Sequence, residues 1–392
     1  MRSLLRRAAI WTSIVVVTLG AGPASVDDRI ARVERQLNLP QLMKQHHVPG
    51  ISVAVIENFK TVWAKGYGVT EKGGSVRVTP QTLFLAGSIS KPVAAIGALS
   101  LVERGKLSLT EDVNARLKSW KVPENEYTSG QKVTLALILD HTAGFVGGDF
   151  YPGYDVNQRL PSLPQILNGE KPANSAPARL GFVPGSSWRY SGAGYLVAQQ
   201  LMIDVTGQQF PELMRSAVFT KIGMADTTYE QPLPLNRATT AASGTLLDGA
   251  PVDGRWHVNP EMAAGGLWST PSDLAKLAIE ISLSLQGKAN HLLSQRMARE
   301  MITPHWERGV TNILGTPDDP DRMGFGFFVG RDDRFGHIGG NVGYQATFVM
   351  FGKSGNGAVI MTNSDVGLRV GNALLNEIAK EYGWNYTAPA AL

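Results

Sequence analysis

The chain of 392 residues has no cysteine. Disulfides, thiolate metal sites and a cysteine-borne lipid anchor are therefore excluded. Stability must come from burial, and a chain this long can bury a large core. Charge is also sparse. Asp, Glu, Lys and Arg make up 18% of the residues against 43% hydrophobic ones. That balance is globular and excludes general disorder. The net charge is only +4, and no basic stripe with interleaved aromatics occurs, so a nucleic-acid surface is not indicated. Internal repeats and low-complexity tracts are absent. Glycine, by contrast, is plentiful: 43 residues, above the usual ~7%, imply many tight turns and close backbone approaches.

One apolar run stands apart. Ala8 to Gly22 follows Arg2, Arg6 and Arg7 and precedes Gly22, Ala24 and Ser25. It is short for a membrane span. Residues 1–24 are expected to be a secretory signal cleaved near Ala24, with an uncleaved membrane anchor as the alternative. The expected location is periplasmic or secreted.

Hydrophobic periodicity predicts an amphipathic helix over 26–46, interrupted near Pro40. Gly50 to Glu57 and Thr61 to Tyr67 read as a hairpin. From about 108 to 320, helical segments alternate with long loops such as Gly147–Tyr154 and Pro161–Pro184, and loops of that length tend to be functional. Short β runs return at Gly324–Gly330, Arg334–Gly339, Ala346–Phe351 and Gly357–Asn363. A helix closes the chain around Val366–Tyr382. An α/β fold of α+β type follows: an antiparallel sheet flanked by helices, built by both chain ends (26–107 and 322–385). A mainly helical insertion (108–321) would leave a cleft between.

Ser88-Ile89-Ser90-Lys91 falls where a strand-like run ends at Gly87 and a helix pattern begins, closing near Gly105. Three residues is nearly one helical turn, so Lys91 shares a face with Ser88. A serine hydroxyl needs a base, and a partly desolvated lysine can serve. A helix N-terminus adds free N–H groups for developing negative charge. The S-x-x-K string itself arises about once by chance in such a chain. Ser129-Gly-Gln-Lys132 is a second instance, lying in a polar stretch that reads as loop. Ser88 as a plain helix cap is the competing reading.

Tyr190-Ser191-Gly192 lies on a Gly-rich turn before a helix. Its phenol could pass a proton between nucleophile and leaving group; a buried tyrosine anchoring a loop is the alternative. His337-Ile338-Gly339-Gly340 lies on a β run where glycines permit close approach of a ligand. An N–H there could complete an oxyanion hole, and His337 could donate a hydrogen bond to substrate or to Tyr190. The alternative is a structural histidine beside a bulge. His46-His47 lacks a carboxylate at ligand spacing. His141 reads as a loop-ordering residue. Asp318-Asp-Pro-Asp321 lacks the ligand register of a calcium loop.

These three segments, in this order and spacing, resemble the serine β-lactamase and penicillin-binding-protein superfamily, and its class C-related branch with family VIII carboxylesterases in particular. The likeness spans roughly residues 26–385. It is strengthened by Gly105–Val113, Leu139–Gly144, Ile222–Thr228 and Ala263–Leu274. The resemblance implies an acylated Ser88, general acid–base work by Lys91 and Tyr190, and His337 in place of the family's strand lysine. It places the oxyanion hole at the N–H groups of Ser88 and Gly340, beside Gly339. No metal or other cofactor is expected.

Two departures bear on substrate. Gly192 stands where the family has an asparagine that binds the acylamido carbonyl, and His337 carries a weaker charge than lysine, lost above about pH 6.5. An esterase acting on small carboxylic esters is therefore expected, with slow or absent β-lactam turnover. A β-lactamase, D-Ala-D-Ala carboxypeptidase or D-aminopeptidase is the alternative within catalysis, and a β-lactam- or peptide-binding protein without turnover is the alternative outside it.

Overall fold

The computed structural model describes residues 25–389 except Asp149 and Pro317. The expected signal segment, 1–24, lies outside the described residues. Both chain ends meet in a seven-stranded antiparallel sheet. In chain order its strands are β1 (Gly50–Glu57), β2 (Lys60–Gly68), β3 (Arg322–Met323), β4 (Phe328–Val329), β5 (Arg334–Asn341), β6 (Tyr344–Phe351) and β7 (Asn356–Thr362). Their order across the sheet is β2-β1-β7-β6-β5-β4-β3.

The hairpin turn between β1 and β2 is the expected one. Asn58 and Phe59 both take positive φ (51° and 62°), the conformation that matches the right-handed twist of the strands it joins. The β run expected over Gly324–Gly330 is instead broken into the two short strands β3 and β4. Gly326 takes φ +81° between them, where a Cβ would lie 2.9–3.1 Å from Pro92, Ala95 and Tyr195.

The period of two along β1 feeds two separate cores. Ile51, Val53 and Val55 pack with Val370, Leu374 and Ile378 of the C-terminal helix and with Val33. Ala54 and Ile56 join the larger core that runs through Leu274, Leu277 and Ile281. The sheet is thus a middle layer between α1 (Val26–Leu37) with α5 (Gly367–Glu381) on one side and α4 (Pro271–Leu285) on the other. α4 falls inside the stretch expected to form the helical insertion, yet it packs on the sheet. α1 ends at Asn38, in left-handed conformation, rather than at Pro40, which sits in the first turn of the next short helix. Proline is tolerated there because the first-turn N–H has no helical partner.

Between the sheet and the helical region runs α2 (Ser90–Glu103). Twelve of its residues are buried, and it packs on α3 (Gly192–Thr206). A helix apolar all round belongs in the middle of a protein. Its N-terminus points at β5, and there the candidate site forms.

Candidate active site

Ser88 sits on a 3-10 turn, Gly87–Ile89, directly before α2. Two features hold the turn. Ser90 Oγ donates to the Gly87 carbonyl (2.6 Å) and accepts from Leu267 N–H (3.0 Å). Tyr229 Oη donates to the Ser90 carbonyl (2.6 Å). Gly87 takes φ +52°, and a Cβ on it would lie 2.3 Å from the Gly340 nitrogen. A Cβ on Gly339 would lie 1.9 Å from the Ala86 carbonyl oxygen. Strand β5 therefore lies flat on the serine turn because both chains lack side chains where they touch. This brings Ser88 and Gly340 to one narrow cleft, with Lys91, Glu261, Tyr151 and Asn341 among its other walls.

Lys91 Nζ is 2.9 Å from Ser88 Oγ and 2.8 Å from the Ala264 carbonyl oxygen. It is 2% exposed and is in no ion pair among the described residues. Burial without a counter-charge disfavours the ammonium and pulls its pKa from 10.5 down to about 7. A substantial fraction is thus the free amine at neutral pH, able to accept the Ser88 proton.

Tyr190 directly precedes Ser191, the N-cap of α3, whose Oγ accepts from Gly194 N–H. The Lys91 ammonium lies 4.8 Å from the Tyr190 ring centroid. Burial pushes the phenol pKa well above the ordinary tyrosine range, and a hydrogen bond with Ser88 draws it only partly back. Tyr190 is therefore a neutral phenol beside the nucleophile.

His141 belongs to the same group. Its ring stacks on Tyr190 (4.5 Å between centroids), and its Nδ1 accepts the Ser191 N–H (3.0 Å). An acceptor Nδ1 puts the proton of a neutral ring on Nε2. Burial, with Lys91 and His337 nearby, holds its pKa well below the usual value. His141 orders a loop, as expected, but the loop it orders carries Tyr190.

Two expected site residues are placed differently. His337 is 1% exposed and sits behind Tyr190 and against Phe328, with ring centroids 6.1 and 5.0 Å away. Its Nδ1 hydrogen-bonds the Ile338 carbonyl. Burial, and secondarily Lys91, lower its pKa to about 3. A neutral, enclosed ring cannot bind a substrate carboxylate by charge, so His337 does not replace the strand lysine electrostatically. Gly192 is also buried, and the space its side chain would take is filled. A Cβ would be 2.6 Å from the Gly148 carbonyl oxygen and 2.8 Å from the Tyr151 ring. It is a packing glycine at a helix start, not a wall of the cleft.

The residues that the sequence reading missed are Ser90, Glu261, Asn259 and Asn341, with Phe150 and Tyr151. The last two lie in the long Gly147–Tyr154 loop, whose length already pointed to function, and Asn259 lies in an irregular stretch before Glu261. Glu261 stands two residues before the Ala263–Leu274 segment already noted, and a carboxylate beside that segment was its available signal. Ser129 and Lys132 lie in a non-helical loop, as read.

A layered sheet, an S-x-x-K turn, a phenol at the nucleophile and a Gly-Gly strand edge define a serine β-lactamase-like site. The chain belongs to the Beta-lactamase family, whose profile matches residues 36–381. It is similar to Protein flp of Staphylococcus aureus (strain MRSA252), 22% identical over 326 residues, 82% of this chain and 60% of that protein. The chain thus spans about 60% of the length of that curated relative. Among solved structures it is similar to the D-alanine carboxypeptidase AmpC of Burkholderia cenocepacia (TM-score 0.69, 21% identity, covering 91% of this chain and 99% of that one). It is also similar to the D-amino acid amidase of Ochrobactrum anthropi SV3 complexed with L-phenylalanine (TM-score 0.70, 20% identity, 91% and 98%). At these identities the structural likeness concerns the fold.

Proposed function

We propose that the chain is a serine hydrolase that forms an acyl-enzyme at Ser88, acting chiefly on small carboxylic esters. One observation carries this reading: Ser88 Oγ lies 2.9 Å from a buried lysine amine with no counter-ion among the described residues. Lys91 takes the hydroxyl proton as Ser88 Oγ bonds to the substrate carbonyl carbon. The oxyanion is held by the N–H groups of Ser88 and Gly340. The carbon–oxygen bond to the alcohol then breaks, and the phenol of Tyr190 gives the leaving oxygen a proton, regaining one from Lys91. Water repeats the sequence on the acyl-enzyme, releases the acid and restores Ser88.

The ester preference rests on what the cleft lacks. Position 192 offers no amide for an acylamido carbonyl, and position 337 offers no cation for a carboxylate, whereas a small carboxylic ester presents neither group. Hydrolysis of p-nitrophenyl butyrate and nitrocefin, compared between the protein and Ser88→Ala, tests the reading. Ester turnover lost with Ser88 and slow nitrocefin turnover are expected. Nitrocefin rates matching the ester rates would favour a β-lactamase or D-Ala-D-Ala peptidase, and activity unchanged in Ser88→Ala would overturn the assignment. A stable acyl-enzyme without release would mark a binding protein. Export, on the strength of Arg2, Arg6, Arg7 and the apolar run after them, is proposed alongside. Sequencing the N-terminus of the mature protein tests it, with cleavage expected near Ala24.

A further inference from the structure

The cleft contains a buried carboxyl group that the proposed reaction does not use. Glu261 is fully buried and lines the same cleft as Ser88 and Gly340. Neither of its carboxyl oxygens accepts a hydrogen bond of good geometry. Asn341, next along β5 after Gly340, also lines the cleft, is 6% exposed, and leaves its side-chain oxygen without a partner. Its Nδ2 is committed to Asn259 Oδ1 (3.3 Å), and Asn259 Nδ2 in turn to the His257 carbonyl (3.1 Å). Three acceptor oxygens, two of them on one carboxyl group, are thus left over in one small space. Buried polar groups ordinarily find partners, and an orphan costs free energy until something pairs with it.

The missing partner is a donor. The surrounding groups supply little. Among the described residues Tyr154 Oη is the only side chain that acts on Glu261 as a hydrogen-bond donor, and together with the residue's own backbone N–H it offsets burial only in part; the Glu261 pKa stands at about 7 against an ordinary 4.5. Tyr154 Oη is itself within reach of Asn174 N–H (3.3 Å). Lys91, the cleft's one basic side chain, is turned to Ser88 and Ala264.

We propose that Glu261 and Asn341 form a subsite for a protonated primary amine of the substrate, so that the cleft selects acyl compounds bearing an amino group close to the scissile carbonyl. This rests on the hydrolase reading for the meaning of "scissile", but not for the binding itself. An ammonium group carries three N–H donors and a positive charge. It matches three acceptor oxygens and completes an ion pair that the folded protein lacks. Glu261 here is a recognition group: it forms no covalent bond and takes no part in the proton transfers.

The experiment compares amines with neutral isosteres. Alaninamide and β-alaninamide differ from isobutyramide and butyramide by an ammonium in place of a methyl group. Their dissociation constants are read by ligand-observed NMR on Ser88→Ala, which removes any dependence on turnover, and on Ser88→Ala/Glu261→Gln. At least one amine is expected to bind Ser88→Ala tenfold or more tightly than its isostere. Glu261→Gln is expected to shrink that ratio at least fivefold. Equal affinity for amines and isosteres overturns the proposal. So does an equal loss for both in Glu261→Gln, which would make Glu261 a structural group. Should the double variant fail to fold, the amine-to-isostere ratio in Ser88→Ala alone decides. Failure of the hydrolase reading is seen separately, as absence of Ser88-dependent p-nitrophenyl butyrate turnover.

Discussion

His141 stacks face to face on Tyr190, 4.5 Å between ring centroids, while its Nδ1 accepts the N–H of Ser191, the next residue along. One imidazole thus fixes both the plane of the phenol and the backbone that carries it. Substrate would not touch it. His141→Ala should lower kcat roughly 10–100-fold with KM changed by less than about threefold, since positioning errors act on the transition state. His141→Phe keeps the stack but loses the acceptor, so it should fall between the two. Steady-state kinetics on p-nitrophenyl butyrate check this; equal losses in kcat and 1/KM would speak for a collapsed cleft instead.

Lys91 gives the site a pH dependence with a definite sign. Its pKa in the folded protein is about 7, below the ordinary 10.5. The base form grows as pH rises, so kcat/KM should climb about tenfold per pH unit below 7 and level off above it. No descending limb should appear until the Tyr190 phenol ionises, above the ordinary tyrosine range. Lys91→Arg stays charged and should lose activity by about 10³-fold or more. The same depression affects stability. Between about pH 7 and 10.5 the unfolded chain binds the proton and the folded one does not, so stability rises with pH across that window. Lys91→Met should therefore raise the melting temperature at pH 7 while abolishing turnover, by roughly 1–3 kcal/mol of stability. Rate and melting curves from pH 5 to 10 test both halves.

Local signals explain why the skeleton of this site was legible in sequence. Ser88 and Lys91 are three residues apart at a strand-to-helix boundary, and Tyr190 precedes a Ser-Gly helix start. The glycines at 339 and 340 sit on an alternating β run. Each of these is a statement about one segment. What was not legible is what lies between segments. The charge of His337 depends on enclosure by Phe328 and Tyr190, from separate stretches of chain. Gly192 reads in sequence only as a missing asparagine, because the groups that fill the space beside it, Gly148 and Tyr151, come from a loop some 40 residues earlier in the chain. The position of α4 on the sheet likewise depends on its buried face meeting β1, which helical periodicity alone does not specify.

The close contact of β5 with the serine turn makes Gly339 intolerant of any side chain. A Cβ would stand 1.9 Å from the Ala86 carbonyl oxygen and 3.2 Å from the Ser88 nitrogen. Gly339→Ala must push the strand off the turn and separate the two oxyanion donors. Activity should fall by about 10²-fold or more, with a loss of roughly 2–3 kcal/mol in stability. Gly340→Ala is the informative neighbour. Nothing lies within 4 Å of its added carbon, so its melting temperature should stay within about 2 °C of the parent. A destabilised Gly340→Ala beside a stable Gly339→Ala would contradict this packing.

Restoring the family's asparagine at position 192 should not create a β-lactamase. The side chain would begin 2.6 Å from the Gly148 carbonyl oxygen and 2.8 Å from the Tyr151 ring. Neither neighbour is the loose end of a flexible chain: one is backbone, and the other is an aromatic ring 9% exposed. Overpacking of this kind costs about 1–3 kcal/mol. Gly192→Asn should therefore lower the melting temperature and leave nitrocefin turnover no faster than in the parent. Pairing it with Tyr151→Ser removes the ring that blocks the amide, and part of the lost stability should return. A single Gly192→Asn that folds normally and hydrolyses nitrocefin faster would mean that the 148–151 loop yields to an incoming side chain. In that case the proposed ester preference would depend on one missing amide rather than on the way this loop is packed.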